Sequence, residues 1–350
     1  MVRLAPAVEG PPDSESPPVA AYNSIPFSIT DPEQMKVIRG SHNIRPAHRG
    51  CVATIGNFDG VHLGHRSVFE RLLARGREFG LPATVITFEP QPLEVLAPHA
   101  APARLTRLRE KLAAIQDCGI EQVLLLPFGP RFAAMPPRDF VRAVLVEGLG
   151  IASLLVGDDF RFGRGRGGDI ALLRAMGAAH GFAVEDLDTI THGTERISST
   201  RIREALAAGD LEQARHLLGR PYRICGRVVH GDKRGRSIGF PTANIGLRRR
   251  ISPLSGVYAV MVHGVAPDPW PGVANVGVRP TFGGDVRPLL EVHLLDFAGD
   301  IYDRHAEVEP RLKLRDEARF DSLEALVRQI ERDVAAARAF LGRSPPRRGP

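Results

Sequence analysis

The stretch Cys51–His65 (CVATIGNFDGVHLGH) constrains the fold more than any other, because a strand, a glycine turn and a helix start follow one another directly. Val52 to Ile55 is short, apolar and partly β-branched, the pattern of a strand buried in a parallel sheet. Gly56 and Gly60 free the backbone to turn closely around a ligand. Apolar residues then recur at Val68, Leu72 and Leu73, which predicts a helix starting near Gly64. The early N–H groups and positive dipole end of that helix suit a phosphate.

His62 and His65 stand on either side of Leu63-Gly64, spaced so that both imidazoles can face one point near the helix start. Two such donors can neutralise charge that develops on a phosphoryl group in transfer. An isolated H-x-x-H fits a surface pair, a helix cap or half of a zinc site equally well. The G-x-F-D-G turn in front of it favours phosphoryl chemistry, since zinc needs no such turn and no third and fourth ligands lie nearby in sequence.

The same texture continues downstream. Strand-like runs at 83–88, 122–126, 153–156 and 183–185 alternate with helical patterns near 107–117, 139–146 and 171–180. This alternation predicts an α/β fold, a Rossmann-like parallel sheet with helices on both faces. Ligands of such sheets bind at the carboxyl ends of the strands, where the turn after Ile55 lies. With 350 residues there is room for a second core, and the texture changes near Gly219–Tyr222. Beyond that point, β-like runs at 223–230, 257–263, 273–276 and 289–295 are separated by Gly and Pro and predict a small antiparallel β-barrel. A C-terminal helix follows over 321–341, with Leu323, Leu326, Val327, Ile330 and Val334 on one face. Residues 1–34 are aperiodic and rich in Pro, Ser, Ala and Glu, and are expected to be a disordered extension, as is the tail 344–350. The two domains are expected at 35–218 and 219–343.

Composition narrows the function further. A net charge of +6 and a pI near 9.6 fit nucleic-acid binding, and equally an enzyme whose substrates carry several phosphates. Lysine occurs only at Lys36, Lys111, Lys233 and Lys313, so nearly all the positive charge is arginine. Arginine is the better bidentate phosphate ligand, but so broad a bias is more a trait of a genome than of a site. Gly163–Gly168 (GRGRGG) looks like an RGG segment, yet it is a single run without aromatic platforms, and no nucleic-acid partner is expected. No apolar run reaches bilayer length, and the N-terminus lacks a secretory pattern, so no membrane partner is expected. Cys51, Cys118 and Cys225 suggest neither a disulfide framework nor a zinc cluster, which points to a reducing cytoplasm. Oligomeric state is not legible.

Further motifs stand at strand and helix ends. Phe88-Glu89-Pro90 and Val156–Gly163 (VGDDFRFG) each follow a strand directly. In Arg196–Arg203 (RISSTRIR), Ser198, Ser199, Thr200 and Arg201 would cap a helix, and would bind triphosphate at its start equally well. Gly231–Asn244 (GDKRGRSIGFPTAN) is not a Walker A loop, and a basic glycine-rich loop alone fits a solvated turn. Thr242 and Asn244, two apart in an extended chain, put two oxygen ligands on one side. Glu291 opens an apolar strand, where it is either a rim charge or a proton acceptor.

Taken in order from about Cys51 to Val334, these motifs resemble those of the bacterial bifunctional riboflavin kinase/FAD synthetases, within the wider HxGH nucleotidyltransferase group. The resemblance implies riboflavin, FMN and ATP as substrates and Mg²⁺ as cofactor. It implies that His62 and His65 serve adenylyl transfer, with Gly56, Asn57, Phe58, Asp59, Gly60, Gly64, Ser198, Ser199, Thr200 and Arg201 around the nucleotide. Phe88, Asp159, Phe160, Arg161 and Arg315 would line the flavin. In the second half, Gly231, Lys233, Gly235 and Gly239 would hold ATP, Thr242 and Asn244 the Mg²⁺, and Glu291 would be the base. The chain departs from the family at Asp303, where glycine commonly follows the tyrosine, and at Pro310, where an aromatic is usual. An HxGH adenylyltransferase for pantetheine phosphate or a nicotinate nucleotide is the enzymatic alternative, and an arginine-rich RNA-binding or flavin-sensing protein the non-enzymatic one.

Overall fold

The computed structural model describes residues 35–187, 191–192, 195–231, 238–247, 249–280 and 286–342. The expected N-terminal extension, the tail, Lys233 and Gly235 lie outside the described residues.

Strands β1 (Lys36–Arg39), β2 (Cys51–Ile55), β3 (Ala83–Phe88), β4 (Gln122–Leu126), β5 (Ile151–Gly157) and β6 (Ala183–Leu187) form one parallel sheet in the order β1-β4-β3-β2-β5-β6. β2 and β4 are buried at every position, as their unbroken apolar runs require. Alternate residues of the strands feed two separate cores. Val52, Val85 and Val123 join Phe69 and Leu72 of helix α1 (Leu63–Phe79) on one face, and Ala53, Ile86 and Leu124 join the opposite core. Three helices follow α1: α2 (Pro92–Leu96), α3 (Leu108–Gln116) and α4 (Pro130–Ala133). The helix expected near 139–146 is α5 (Pro137–Phe140) running on into a π-helical stretch, Val141–Leu149. It is followed by α6 (Ile170–His180). The chain moves outward from β2 through β3 to β4 and then returns to the other side of β2 with β5. The turn after β2 therefore lies where the strand order reverses. β1 was not foreseen; it extends the sheet beyond β4 with only four residues.

After the short ladder β7 (Thr191–His192) and β8 (Glu195–Arg196) come α7 (Ser199–Ala208) and α8 (Leu211–Leu218). Six strands then close a barrel: β9 (Ile224–Val229), β10 (Ala243–Gly246), β11 (Gly256–His263), β12 (Trp270–Pro280), β13 (Val286–Leu294) and β14 (His305–Arg315), in the order β10-β13-β12-β11-β14-β9 with antiparallel neighbours. β10 and β14 escaped sequence reading. β10 is only four residues long, and β14 hides its character behind Glu307 and Glu309, which are buried and held by Arg223 and His263. The two departures from the family pattern are absorbed by the backbone. Asp303 takes the left-handed conformation (φ 61), with its N–H on the Val228 carbonyl at 3.0 Å and its own carbonyl accepting from Arg227. Pro310 sits where the β11–β14 register slips, a position that needs no ladder donor.

Helix α9 (Leu323–Leu341) rides on the barrel. Its expected apolar face is only partly covered: Leu323 is 57% exposed, whereas Asp333 and Ala337 are buried. Asp333 is tolerated there because Arg315 donates to it through both Nε and Nη2, at 3.0 and 2.9 Å.

One hydrophobic core runs from Leu105, Ile202, Leu206, Leu217 and Tyr222 into the barrel interior at Val228, Tyr258 and Leu290. Arg249, beyond β10, reaches back from the barrel side into the first half. Its guanidinium donates to the Arg104 carbonyl (2.8 Å), the Tyr222 hydroxyl (2.9 Å) and Glu110 Oε2 (2.8 Å).

Candidate active sites

The G-N-F-D-G turn is held in an unusual backbone shape. Phe58 and Val61 have φ of 47 and 43, and Gly60 has φ 88. A Cβ on Gly60 would press on Leu105. Such strain persists only where the surroundings over-determine it. Here they do. The Asp59 carboxylate accepts from the Leu105 and Thr106 N–H groups at 3.0 and 2.9 Å, from the Thr106 hydroxyl at 3.1 Å and from Arg203 Nη2 at 2.6 Å. The Gly60 N–H donates to Thr106 Oγ1 at 3.0 Å, and its carbonyl accepts from Arg220 at 2.8 Å. Asp59, expected beside the nucleotide, thus spends its carboxylate on the turn itself.

His62 is the N-cap of α1, its Nδ1 accepting the His65 N–H at 3.3 Å. With Nδ1 an acceptor, the neutral ring carries its proton on Nε2. The two imidazoles stack 3.5 Å apart at 17° to each other, and Phe58 meets His65 edge-on at 5.2 Å. Burial pushes His62 down to about 4 against the pull of Asp59, with Arg220 and Arg203 adding to the depression. Burial, His62 and Lys111 push His65 well below its ordinary range. Both rings are therefore neutral near pH 7, each with one ring N–H to donate rather than a full positive charge. Gly64 lies so close to the His62 ring that a Cβ would stand 3.2 Å from it. Among the described residues no group of three or more His, Cys, Asp and Glu could hold a metal, so the zinc reading of the histidine pair lacks its further ligands.

The serine-rich motif arrives at the same turn from 140 residues away. Ser198 caps α7, accepting the Arg201 N–H at 3.3 Å, and the Ser199 hydroxyl donates to the Asp59 carbonyl at 3.0 Å. Thr200 is exposed, and Arg201 Nη1 donates to the Arg196 carbonyl at 3.2 Å. Two helix N-termini, α1 and α7, consequently border the turn that carries the histidines.

The barrel builds a second constellation. Asn244 of β10 stands opposite Glu291 of β13, which in turn stands opposite Asn275 of β12. Their strand neighbours Ile245, Leu290, Val292, Ala274 and Val276 fill the barrel core. By the period of two, Asn244, Glu291 and Asn275 therefore face outward in one row. Thr242, two residues before Asn244, has the same parity and is exposed. Gly231 packs so tightly over this row that a Cβ would collide with the Asn244 amide. Gly239 takes φ 87 in the turn leading to Thr242. His293 Nδ1 donates to the Pro241 carbonyl at 2.8 Å and steadies the approach to β10.

Residues 44–201 match the family described as FAD synthetase, and residues 218–341 the family described as riboflavin kinase. A bifunctional riboflavin kinase/FMN adenylyltransferase of Escherichia coli (strain K12) is 54% identical over 313 residues, which cover 89% of this chain and 100% of that protein. The corresponding proteins of Pseudomonas fluorescens and Haemophilus influenzae are 53% identical over 313 residues and 48% identical over 306. The chain belongs to the bifunctional riboflavin kinase/FMN adenylyltransferase family. A crystal structure described as a macrolide-efflux protein from Streptococcus pneumoniae is also similar, with a TM-score of 0.72 at 31% identity, covering 87% of this chain and 99% of that one. Among the described residues of this chain, no helix is long and apolar enough to cross a membrane.

The residues that the riboflavin kinase/FMN adenylyltransferase resemblance assigns to flavin are more scattered. Phe88, the last residue of β3, belongs to an aromatic cluster with Phe128 and Phe132, at 5.8 and 6.0 Å. Phe160 stacks on Phe162 at 5.6 Å, and Arg161 donates to the Phe160 carbonyl. Asp159 forms an exposed pair with Arg196 at 3.0 Å, which links the strand-end loop to the serine motif. Arg315 is tied to Asp333 and lies over Phe320 at 5.6 Å, away from the first half's turn. Sequence reasoning missed Thr106, Arg203 and Arg220, which hold the turn. Arg203 stood inside a motif already singled out; Thr106 carried no local signal, because its role exists only through contacts made 47 residues away.

Proposed function

We propose that FMN is adenylylated at the turn carrying His62 and His65, and that riboflavin is phosphorylated at the Asn244–Glu291 row of the barrel. The chain is an enzyme with both activities of its family: riboflavin and ATP give FMN and ADP, and FMN and ATP give FAD and pyrophosphate. What most supports the assignment of the first site is the convergence on one braced turn of a histidine pair and two helix N-termini.

At the first site an FMN phosphate oxygen attacks the α-phosphorus of ATP as the bond to pyrophosphate breaks. His62, protonated on Nε2, and His65 donate hydrogen bonds to the phosphoryl oxygens as negative charge accumulates there. Ser198, Ser199, Thr200, Arg201 and the free N–H groups at the α7 start hold the β- and γ-phosphates. Gly56, Asn57, Phe58, Gly60 and Gly64 let the backbone approach the nucleotide, and Asp59 fixes their shape. Phe88, Asp159, Phe160 and Arg161 flank the isoalloxazine side.

At the second site Glu291 accepts the proton of the riboflavin 5′-hydroxyl as its oxygen attacks the γ-phosphorus, and ADP leaves. Gly231, Lys233, Gly235 and Gly239 supply the phosphate loop. The hydroxyl of Thr242 and the amide oxygen of Asn244 are hard, neutral donors of the kind that suit Mg²⁺ bound together with nucleotide phosphates. They would hold it there, where it neutralises phosphate charge. Arg315 steadies the flavin end through its tie to α9. The cytoplasm is the compartment where these substrates meet an enzyme with three free cysteines.

The test is product analysis after incubation with riboflavin, ATP and Mg²⁺. FMN should appear first, then FAD with pyrophosphate in equal amount. Adenylylation of pantetheine phosphate or a nicotinate nucleotide in place of FMN, or RNA binding without turnover, would overturn the reading.

A further inference from the structure

Two residues of the riboflavin kinase half reach the adenylylation turn through the backbone of the other half. Tyr222 and Arg249 lie within the stretch 218–341 that matches riboflavin kinase, whereas Asp59 and residues 104–106 lie within the stretch 44–201 that matches FAD synthetase. Their contacts meet on two consecutive peptide groups. The Arg104 carbonyl and the Leu105 N–H belong to the first: Arg249 Nη1 donates to that carbonyl at 2.8 Å, and the N–H donates to Asp59 Oδ2 at 3.0 Å. The Leu105 carbonyl and the Thr106 N–H belong to the second: the Tyr222 hydroxyl donates to that carbonyl at 3.1 Å, and the N–H donates to Asp59 Oδ1 at 2.9 Å. Each carboxylate oxygen of Asp59 thus rests on a peptide group that the kinase half grips from behind. Arg249 Nη1 also donates to the Tyr222 hydroxyl at 2.9 Å, so the two grips are joined.

Every member of this relay is buried: Asp59, Leu105, Thr106, Tyr222 and Arg249 are each less than a tenth exposed. Hydrogen bonds in series polarise one another in such surroundings, where water does not compete. A guanidinium on the Arg104 oxygen draws electrons from the peptide group and makes the Leu105 N–H a stronger donor to Asp59. Burial pushes the Tyr222 phenol up to about 12 against the pull of Arg249, so the hydroxyl keeps its proton and remains a donor. Arg249 is itself fixed by Glu110, which accepts from Nη2 at 2.8 Å.

The relay ends where the turn is strained. Peptide groups are rigid planes, so tilting a carbonyl displaces the N–H at the other end. Asp59 stands between Phe58 (φ 47) and Gly60 (φ 88), and Phe58 meets the His65 ring edge-on at 5.2 Å. A carboxylate pulled out of place therefore moves the backbone that carries the histidines. We propose that Tyr222 and Arg249 are positioning residues for FMN adenylylation: the kinase half, through the peptide groups of residues 104–106, holds the Asp59 carboxylate that shapes the histidine turn. The inference rests on the assignment of adenylyl transfer to that turn.

The test uses the full chain and reads both activities in one preparation. Tyr222→Phe removes only the hydroxyl and should lower kcat for FMN adenylylation by about three- to tenfold, with the KM for ATP within about twofold and riboflavin phosphorylation at the wild-type rate. Arg249→Lys keeps the charge but cannot reach carbonyl, phenol and carboxylate together, and should lower the same kcat by about ten- to a hundredfold. A purely structural tie makes both activities fall together with the melting temperature. That outcome overturns the proposal, as does wild-type adenylylation by Tyr222→Phe. The route is tested by combination: in the background of Asp59→Asn, Tyr222→Phe should cost less than about twofold, because the carboxylate it helps to hold is gone. An undiminished loss there overturns the route through Asp59. His65→Ala separates this inference from the site assignment beneath it: normal FMN adenylylation by that variant removes both, whereas a slow His65→Ala beside an unimpaired Tyr222→Phe removes the positioning role alone. Should Arg249→Lys or Asp59→Asn fail to fold, the two activities of Tyr222→Phe decide.

Discussion

Arg203 Nη2 lies 2.6 Å from Asp59 Oδ2 although 144 residues separate them in the chain. The pair joins the two nucleotide motifs of the first half, because Arg203 belongs to α7 and Asp59 shapes the turn in front of α1. Asp59 is buried, and a charge-assisted hydrogen bond of this kind is worth about 1.5–3 kcal/mol. Arg203→Met should therefore slow FMN adenylylation by about one to two orders of magnitude. Riboflavin phosphorylation in the same preparation should stay normal. A variant that adenylylates FMN at the wild-type rate would show that the turn holds its shape without Arg203.

His65→Ala removes one donor to the α-phosphoryl oxygens and leaves the barrel untouched. FMN adenylylation should fall by about two to three orders of magnitude, the cost of one lost transition-state donor. Riboflavin should still become FMN, so FMN should accumulate. A paired assay with a melting temperature decides: equal loss of both activities in a destabilised protein points to a structural role for His65 instead.

Glu291→Gln keeps shape and removes the proton acceptor. Riboflavin phosphorylation should drop by about two to four orders of magnitude, while supplied FMN is converted to FAD at the normal rate. Kinase turnover close to that of the wild type would reduce Glu291 to a rim charge of the barrel.

The depressed His62 gives a pH signature with a definite sign. The unfolded chain takes up its proton near the ordinary value of 6.5, whereas folded His62 resists until about 4. Stability is therefore complete above pH 6.5 and is lost as pH falls toward 4, by at most about 3 kcal/mol from this group. His62→Asn retains an N-cap side chain and removes the titration. Chemical denaturation at pH 7 and pH 4.5 should show a smaller loss in the variant than in the wild type. Equal losses would mean that the ring is not held neutral by the fold.

Arg249→Met strips Glu110 of a buried partner and breaks the ties to Tyr222 and the Arg104 carbonyl. Losing one member of a buried pair costs about 3–5 kcal/mol. Urea denaturation should register a loss of that order, and Glu110→Gln in the same chain should recover part of it. A wild-type midpoint for the single variant would rule out Arg249 as a tie between the halves.

What could be read in advance depended on whether a residue's role was local. β2, α1 and the barrel strands β11 and β13 are announced by their own apolar periods, and the α7 cap by its own serines. The sequence order of the motifs also carried the bifunctional family. β14 was lost because its two buried glutamates read as surface residues until Arg223 and His263 are seen beside them. The apolar face of α9 is legible as a helix, but which of its residues are covered is not: Leu323 at its start stays exposed, while Asp333 is buried through a partner 18 residues upstream. Thr106, Arg220 and Arg249 act only across long loops, and no window of sequence contains both ends of such an interaction.

The row Asn244, Asn275 and Glu291 alternates, residue by residue, with the side chains that fill the barrel. Inserting or deleting a single residue within β10, β12 or β13 would turn the row inward and the core outward at one stroke. Within these three strands, then, drift in length is closed to the chain except in steps of two, while the connections outside them remain free to grow or shrink.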